Sequence, residues 1–186
     1  MVEKNTTNEQ VVPPMAENSH REQSIIVVKN YTIGALAPAL IPVPLFDLVA
    51  LVGIQLKMLH DLSAVYNVEF SAELSRAAVT SLISSVLPVA AAHLAGSLVK
   101  FIPGVGQAAG VASMLILGGA FTHALGMVFV KHFEEGGDFT NFDIQAAKGY
   151  FKVELEKGKK IAAELNQRIV AQSSMADKGK TSSPDL

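Results

Sequence analysis

His93 and His123 carry the strongest chemical suggestion in the chain, because each lies inside a long stretch without formal charge. An ionisable group among apolar residues is a functional candidate, since burying it is costly unless something makes use of it. The plainer reading, and the preferred one, is a neutral imidazole bonded to a Ser, Thr or backbone carbonyl. Metal binding is weaker still, as no Glu-x-x-His or His-Glu-x-x-His spacing accompanies either residue. Asp47, Lys57 and Asp61 form a second set: at 100° per residue they share an arc of about 80° on one helix, and Gln55 is a further candidate polar residue of the same helix. A proton relay or a substrate site would need such an arc. A solvated or interfacial stripe explains it more simply.

Other chemistries are excluded by what is missing. Gly104-Val-Gly106-Gln-Ala-Ala109 matches the alanine form of a dinucleotide fingerprint, but a helix precedes it and no acidic residue follows before Glu134, so the strand and the ribose-binding acid that such a loop needs are absent. There is no Gly-x-x-x-x-Gly-Lys-[Ser/Thr] phosphate loop. The serines near His93 are helical packing positions, and no strained turn presents a nucleophile. With 0 cysteines there are no disulfides, thiolate nucleophiles or Cys-type zinc sites. A net charge of −2 without a basic cluster argues against nucleic acid, which needs several convergent cations. The sequence therefore predicts neither an enzyme nor a bound cofactor.

The elements that would position these residues are helices. Only Lys100 interrupts the uncharged residues between Ala77 and Val130. The first run, Ala77 to Val99, would span about 34 Å as a helix, against a hydrocarbon layer of about 30 Å. Pro103, Gly104 and Gly106 mark a turn before the second run. A helix apolar all round is either the centre of a large domain or a membrane span, and this chain has 186 residues. The expected fold is thus all-α: a membrane-associated bundle built on a helical hairpin (77–99, 107–130) with flanking amphipathic helices. Charged residues make up 17% of the chain, below the usual quarter, and they lie almost wholly outside the hairpin.

In chain order, residues 1–22 read as a polar disordered lead without a secretory signal. Residues 23–137 read as the membrane-associated domain, 138–170 as an amphipathic C-terminal helix and 171–186 as a disordered tail. A helix is predicted from Ser24, weakened by Gly34 and ended by Pro38 or by Pro42 and Pro44. Pro44 is well placed to open the next helix, which Asn67 would close in the left-handed conformation. Ser71 with Glu73 offers an N-cap and an acidic first turn. Gly106 and Gly110 form a small-xxx-small pattern that, with Gly118, Gly119 and Gly126, suits close helix packing in lipid. Glu134-Glu-Gly136-Gly137 ends that helix, and Thr140 with Asp143 is expected to form a capping box for a final helix reaching about Val170. Its apolar stripe runs through Phe151, Leu155, Ala162, Leu165 and Ile169.

Several blocks in order resemble a known family. They are Ile41-Pro42-Val43-Pro44 with Asp47, Gln55-Leu-Lys-Met58, Tyr66, Ile102-Pro103-Gly104-Val105-Gly106, Ala124-Leu125-Gly126 and Phe133-Glu-Glu-Gly136. Over roughly residues 30–137 the chain resembles the YcjF-type membrane domain of unknown function, which in bacteria occurs alone or fused behind Era-like small GTPase domains. Leu45 and Asn67 stand where that family tends to have glycine. The resemblance implies a membrane adaptor whose GTPase would act in trans.

The expected function is accordingly an integral anchor or adaptor in a lipid bilayer, in the bacterial inner membrane with both termini cytoplasmic. It would present a helical surface to a small GTPase or to a second copy in a homo-oligomer. The alternatives are a small channel or transporter component and a soluble all-α regulatory module.

Overall fold

The computed structural model describes residues 14–36, 44–97 and 106–180, with side chains over 19–36, 51–85 and 115–172 and at Met175. The described residues are helical, in five elements: α1 (Pro14–Leu36), α2 (Pro44–Val65), α3 (Ala72–Ser97), α4 (Gly106–Glu134) and α5 (Ile144–Lys180). The all-α reading holds.

Several boundaries follow the predicted chemistry. Pro44 opens α2, where its missing N–H costs nothing. Asn67 adopts φ 54°. Val68 N–H donates to the Ser63 carbonyl at 2.8 Å and Asn67 N–H to that of Ala64 at 3.3 Å, the paired bonds of a Schellman cap. Gly136, at φ 80°, closes α4 in the same way, with Gly137 N–H on the His132 carbonyl at 2.9 Å and its own N–H on that of Phe133 at 3.0 Å. Ser71 Oγ accepts from Leu74 N–H at 3.4 Å at the head of α3.

Other boundaries differ. α1 begins at Pro14, inside the polar stretch expected to be a disordered lead to residue 22, and stops before Pro38. Proline is suited to the first helical turn, and Arg21 ties the early turns to the bundle through a 2.6 Å ion pair with Glu134. α5 runs to Lys180, past the expected end at Val170, because no proline or glycine pair interrupts it there. Thr140 is not the cap of α5. Asp143 caps it, with Oδ1 accepting from Gln145 N–H at 2.8 Å and Ala146 N–H at 3.1 Å. Asp138 holds the preceding turn, accepting from Thr140 N–H at 2.7 Å and Asn141 N–H at 3.1 Å.

The turn of the expected hairpin, residues 98–105, lies outside the described residues. Among the described residues α4 packs most extensively on α5, then on α1 and α2, and only slightly on α3. Glycine and alanine determine this arrangement, because they let backbones approach. A methyl group at Gly126 would stand 2.6 Å from Val28 Cγ2 and 3.2 Å from Met58 Sδ, so α1 and α2 both close on α4 at this point. At Gly118 the neighbours are Leu51 and the Ala35 carbonyl, and at Gly119 they are Leu36 and Ala162. Gly158 lies so close to α4 that a β-carbon would meet the Ala120 carbonyl oxygen at 2.8 Å. Reading these pairs in order, α1 and α5 run antiparallel to α4 and α2 runs parallel to it.

The core follows α4. Ala120, Ala124, Leu125, Val128, Phe129, Val130 and Phe133 are buried, against Val28 and Leu36 of α1, Met58, Leu59 and Leu62 of α2, and Phe151, Leu155 and Ala162 of α5. α3 adds Ala78, Val79 and Leu82. At the C-terminal end of α4, Phe129 stacks on Phe142 with centroids 4.5 Å apart and meets Phe133 and Phe139 at 5.6 and 5.5 Å. Leu115–Glu134 is the one described segment long and apolar enough to cross a membrane, and 56% of it is buried inside the protein.

Gly126→Ala is expected to destabilise the fold by about 1–3 kcal/mol, because the Val28 branch point has no room to retreat in a filled core. Gly149 has nothing within 4 Å of its β position, so Gly149→Ala should stabilise α5 by up to about 1 kcal/mol. Urea midpoints at unchanged slope would check both, and equal shifts in the two would contradict the packing argument.

Candidate functional site

Thr32, Gln55, Thr122 and Glu154 are buried near one level of α4, whereas the other buried polar side chains among the described residues, Ser24, Ser63 and Ser75, lie elsewhere. On α1, Val28 and Leu36 meet α4 at Gly126 and Gly119, and Thr32 lies midway between them; on α2, Leu51 and Met58 meet it at Gly118 and Gly126, and Gln55 lies between those. Thr122 occupies the same level of α4, midway between Gly118 and Gly126. Thr32 and Thr122 are 0% exposed and Gln55 is 1% exposed. Both threonines satisfy their own hydroxyl hydrogens within their helices, Thr32 donating to the Val28 carbonyl at 2.8 Å and Thr122 to the Gly118 carbonyl at 2.9 Å. Neither atom of the Gln55 amide has a protein partner. Burying an amide in this way is costly.

The next residue of α4 turns toward α5. His123 Nε2 lies 3.6 Å from Glu154 Oε2, and the other carboxylate oxygen, Oε1, accepts from Lys157 Nζ at 2.6 Å. Glu154 is 2% exposed, whereas the Lys157 ammonium reaches solvent. Hydrogen bonding and charge from Glu154 hold Lys157 above the usual lysine range. A polar stratum therefore lies at this level of the bundle, with Thr32 and Gln55 on one side of α4, Thr122 and His123 on it, and Glu154 and Lys157 on the other, the last two and His123 being the members in mutual contact.

Two further networks are peripheral. Tyr31 of α1 donates to Asp61 Oδ2 at 2.6 Å, and Lys57 and His60 approach Oδ1 at 3.4 and 3.2 Å. Burial pushes the Asp61 carboxyl up, but the hydrogen bonds from Tyr31 and His60 and the Lys57 charge outweigh it and hold the group below the usual carboxylate range. At the C-terminal end of α4, Arg21 pairs with Glu134, whose other oxygen accepts from Tyr66 at 3.4 Å. A cavity of about 230 Å³ opens there between Arg21, Met127, Val130, Lys131, Glu134 and Tyr150. Both its cations have acidic partners, Arg21 with Glu134 and Lys131 with Glu135. Among the described residues no group of three His, Asp or Glu side chains is placed to hold a metal.

The predicted site residues fare differently. Lys57 and Asp61, expected on one stripe, form an ion pair at 3.4 Å that is tied to α1 through Tyr31; Asp47 lies on α2 with its side chain outside the described residues. Gln55 is buried in the core. His123 faces a carboxylate, not the Ser, Thr or backbone carbonyl expected for it. His93 is on α3, its side chain outside the described residues. Pro42, Pro103 and Gly104 also lie outside them, while Gly106 opens α4 and Gly110 follows in its first turns. Glu154 was missed. Its signal was present, since it falls three residues after Phe151 and four before Gly158, on the edge of the apolar stripe.

Comparison with known proteins follows this geometry. The family model described as Domain of unknown function (DUF697) matches residues 3–160. The chain is 43% identical over 143 residues, 76% of its length and 73% of the other's, to magnetosome membrane protein 22 of Magnetospirillum gryphiswaldense. No solved structure matches it.

Asp61 and Asp138 are both held below the ordinary carboxyl range, Asp138 by the Thr140 and Asn141 donors. Their contribution to stability is therefore complete above about pH 4 and is lost as the pH falls through their lower folded-state values. Asp61→Asn with Asp138→Asn should lower the urea midpoint at neutral pH and flatten its decline in acid. An unaltered acid profile would exclude the two networks as its source. Gln55→Met removes the buried amide at similar volume and should raise stability by about 1 kcal/mol or more. A lower midpoint would show that the amide is well paired in solution.

Proposed function

The chain belongs to the DUF697 family of domains of unknown function, and from that premise we propose that it is a membrane-associated helical interaction protein of a bacterium, acting by binding and not by catalysis. The observation that carries this reading is the segregation of charge. No Asp, Glu, Lys or Arg occurs from Ala77 to Val99 or from Phe101 to Val130, while α1, α2 and α5 are charged along their outer faces. An uncharged stretch of that length in a short chain suits a hydrocarbon layer better than water. The relative named a magnetosome membrane protein supports the same placement.

The charged helices set a limit on how lipid is met. α5 runs along α4 carrying Lys157, Lys159, Lys160 and Glu164, so the wrapped half of α4 stands in water in this conformation. The uncharged end of the α3–α4 pair is then the part directed at lipid, with both termini on the cytoplasmic side. The outer faces of α2 and α5 are the surfaces offered to a small GTPase in trans or to a second copy. A water-soluble all-α regulatory module is the second reading, and one observation favours it: α4 has no exposed residue from Leu115 to Val130.

Flotation with phospholipid vesicles separates the two. The membrane reading expects the full chain to float with vesicles and to remain with membranes after alkaline extraction. Recovery in the soluble fraction in both assays, as a monodisperse species without detergent, would establish the second reading. Retention of a GTPase on the immobilised chain in only one nucleotide state would support the adaptor role.

A further inference from the structure

Resting on the membrane reading above, we infer that α4 is a stored lipid-binding helix: its wrapped surface is delivered to the bilayer when α1, α2 and α5 separate from it at the polar stratum. Gly106–Val130 is uncharged throughout, and Leu115–Glu134 alone would span about 30 Å as a helix, the thickness of a hydrocarbon core. Nothing polar on the wrapping helices can follow it there. The two sides of the stratum differ in a way that suits this exchange.

On α4, Thr122 donates within its own helix, to the Gly118 carbonyl at 2.9 Å, so leaving the bundle orphans no donor at that position. This is how polar side chains are accommodated in lipid. The wrapping helices are the reverse. Gln55 has no partner for either amide atom when closed, and Glu154 is a buried carboxylate held by Lys157 and approached by His123. Opening returns both to water, where each is fully solvated. His123 loses Glu154 and enters the layer as neutral imidazole, while Glu134, at the charged C-terminal end of α4, exchanges Arg21 and Tyr66 for water. The residues that let the wrapping helices approach, Gly118, Gly119, Ala120 and Gly126, are also those that permit close helix contact within a bilayer.

The chain contains no cysteine or tryptophan, so both a clamp and a reporter can be introduced cleanly. A β-carbon at Gly119 would stand 3.2 Å from Ala162 Cβ, a little short of the roughly 3.5–4.5 Å of a disulfide. Gly119→Cys with Ala162→Cys therefore locks α4 to α5 when oxidised and frees it when reduced. Phe121→Trp, at a half-buried position of α4 stacked on Phe151 of α5, reports depth in vesicles of phosphatidylglycerol and phosphatidylethanolamine brominated in the acyl chains. The expected result is flotation of both forms, with emission quenched several-fold more in the reduced protein. Flotation of the reduced protein without quenching overturns the inference and leaves the membrane reading standing, as does equal quenching in the oxidised form. Failure of both forms to float overturns both. In the parent background carrying only the reporter, Gln55→Met should slow the onset of quenching several-fold by stabilising the closed bundle. An unchanged or faster onset also counts against opening at this layer.

Discussion

Close approach of three helices to α4 is the constraint on which the rest depends. It is achieved by leaving side chains out: Gly118, Gly119 and Gly126 on α4 and Gly158 on α5 occupy the crossing points, and added β-carbons would meet Leu36, Val28, Met58 or the Ala120 backbone. Each glycine weakens its helix by up to about 1 kcal/mol relative to alanine. The compensation lies in dispersion and burial spread over every contact the approach allows. Once α4 is enclosed, the remaining features follow. α5 must be long and antiparallel, α1 must start early enough for Arg21 to reach Glu134, and the aromatic group around Phe129 must seal the end where α4 turns into α5.

The local grammar of the chain was largely legible. Pro44, Asn67, Ser71 and Gly136 do what their chemistry dictates, because caps and turns depend on a few neighbouring atoms. Asp143 took the role expected of Thr140 for the same local reason: its carboxylate reaches two free N–H groups at the head of α5, and Asp138 already engages Thr140. The identity of α4's neighbours was not legible. Small residues announce that a backbone comes close without saying which one. Among the described residues Gly118 and Gly126 are in register with α1 and α2, partners distant in sequence.

The candidate site shows the same division. His123 stood out because a histidine in an uncharged run is visible by inspection. Glu154 did not, since one charged residue beside a stripe looks like its edge until the neighbouring helix is placed over it. Lys57 and Asp61 were placed on one face by spacing alone, whereas Tyr31, which orders Asp61 from another helix, carries no signal in its own surroundings. Gln55 lies on the inner face of α2, four residues from Leu51 and Leu59, and the pattern there reads as a single polar interruption. Only the levels of Thr32 and Thr122 turn that interruption into part of a layer.

An enclosed helix and a spanning helix have nearly the same composition, because in both no face meets water. What separates them is the company they keep. Around Leu115–Glu134 that company is amphipathic, with Lys29, Lys57, Lys157 and Lys160 turned outward, and such helices cannot stay beside α4 in hydrocarbon. A bundle that keeps its sheath can meet lipid only through the uncharged end of the α3–α4 pair. For the wrapped half of α4 to enter a bilayer the sheath must first come off, and the buried group that gains most from that is Gln55, whose amide has no protein partner. The membrane character suggested by the sequence and the wrapped helix seen in the fold are then reconciled either through that uncharged end alone or as two arrangements of one chain.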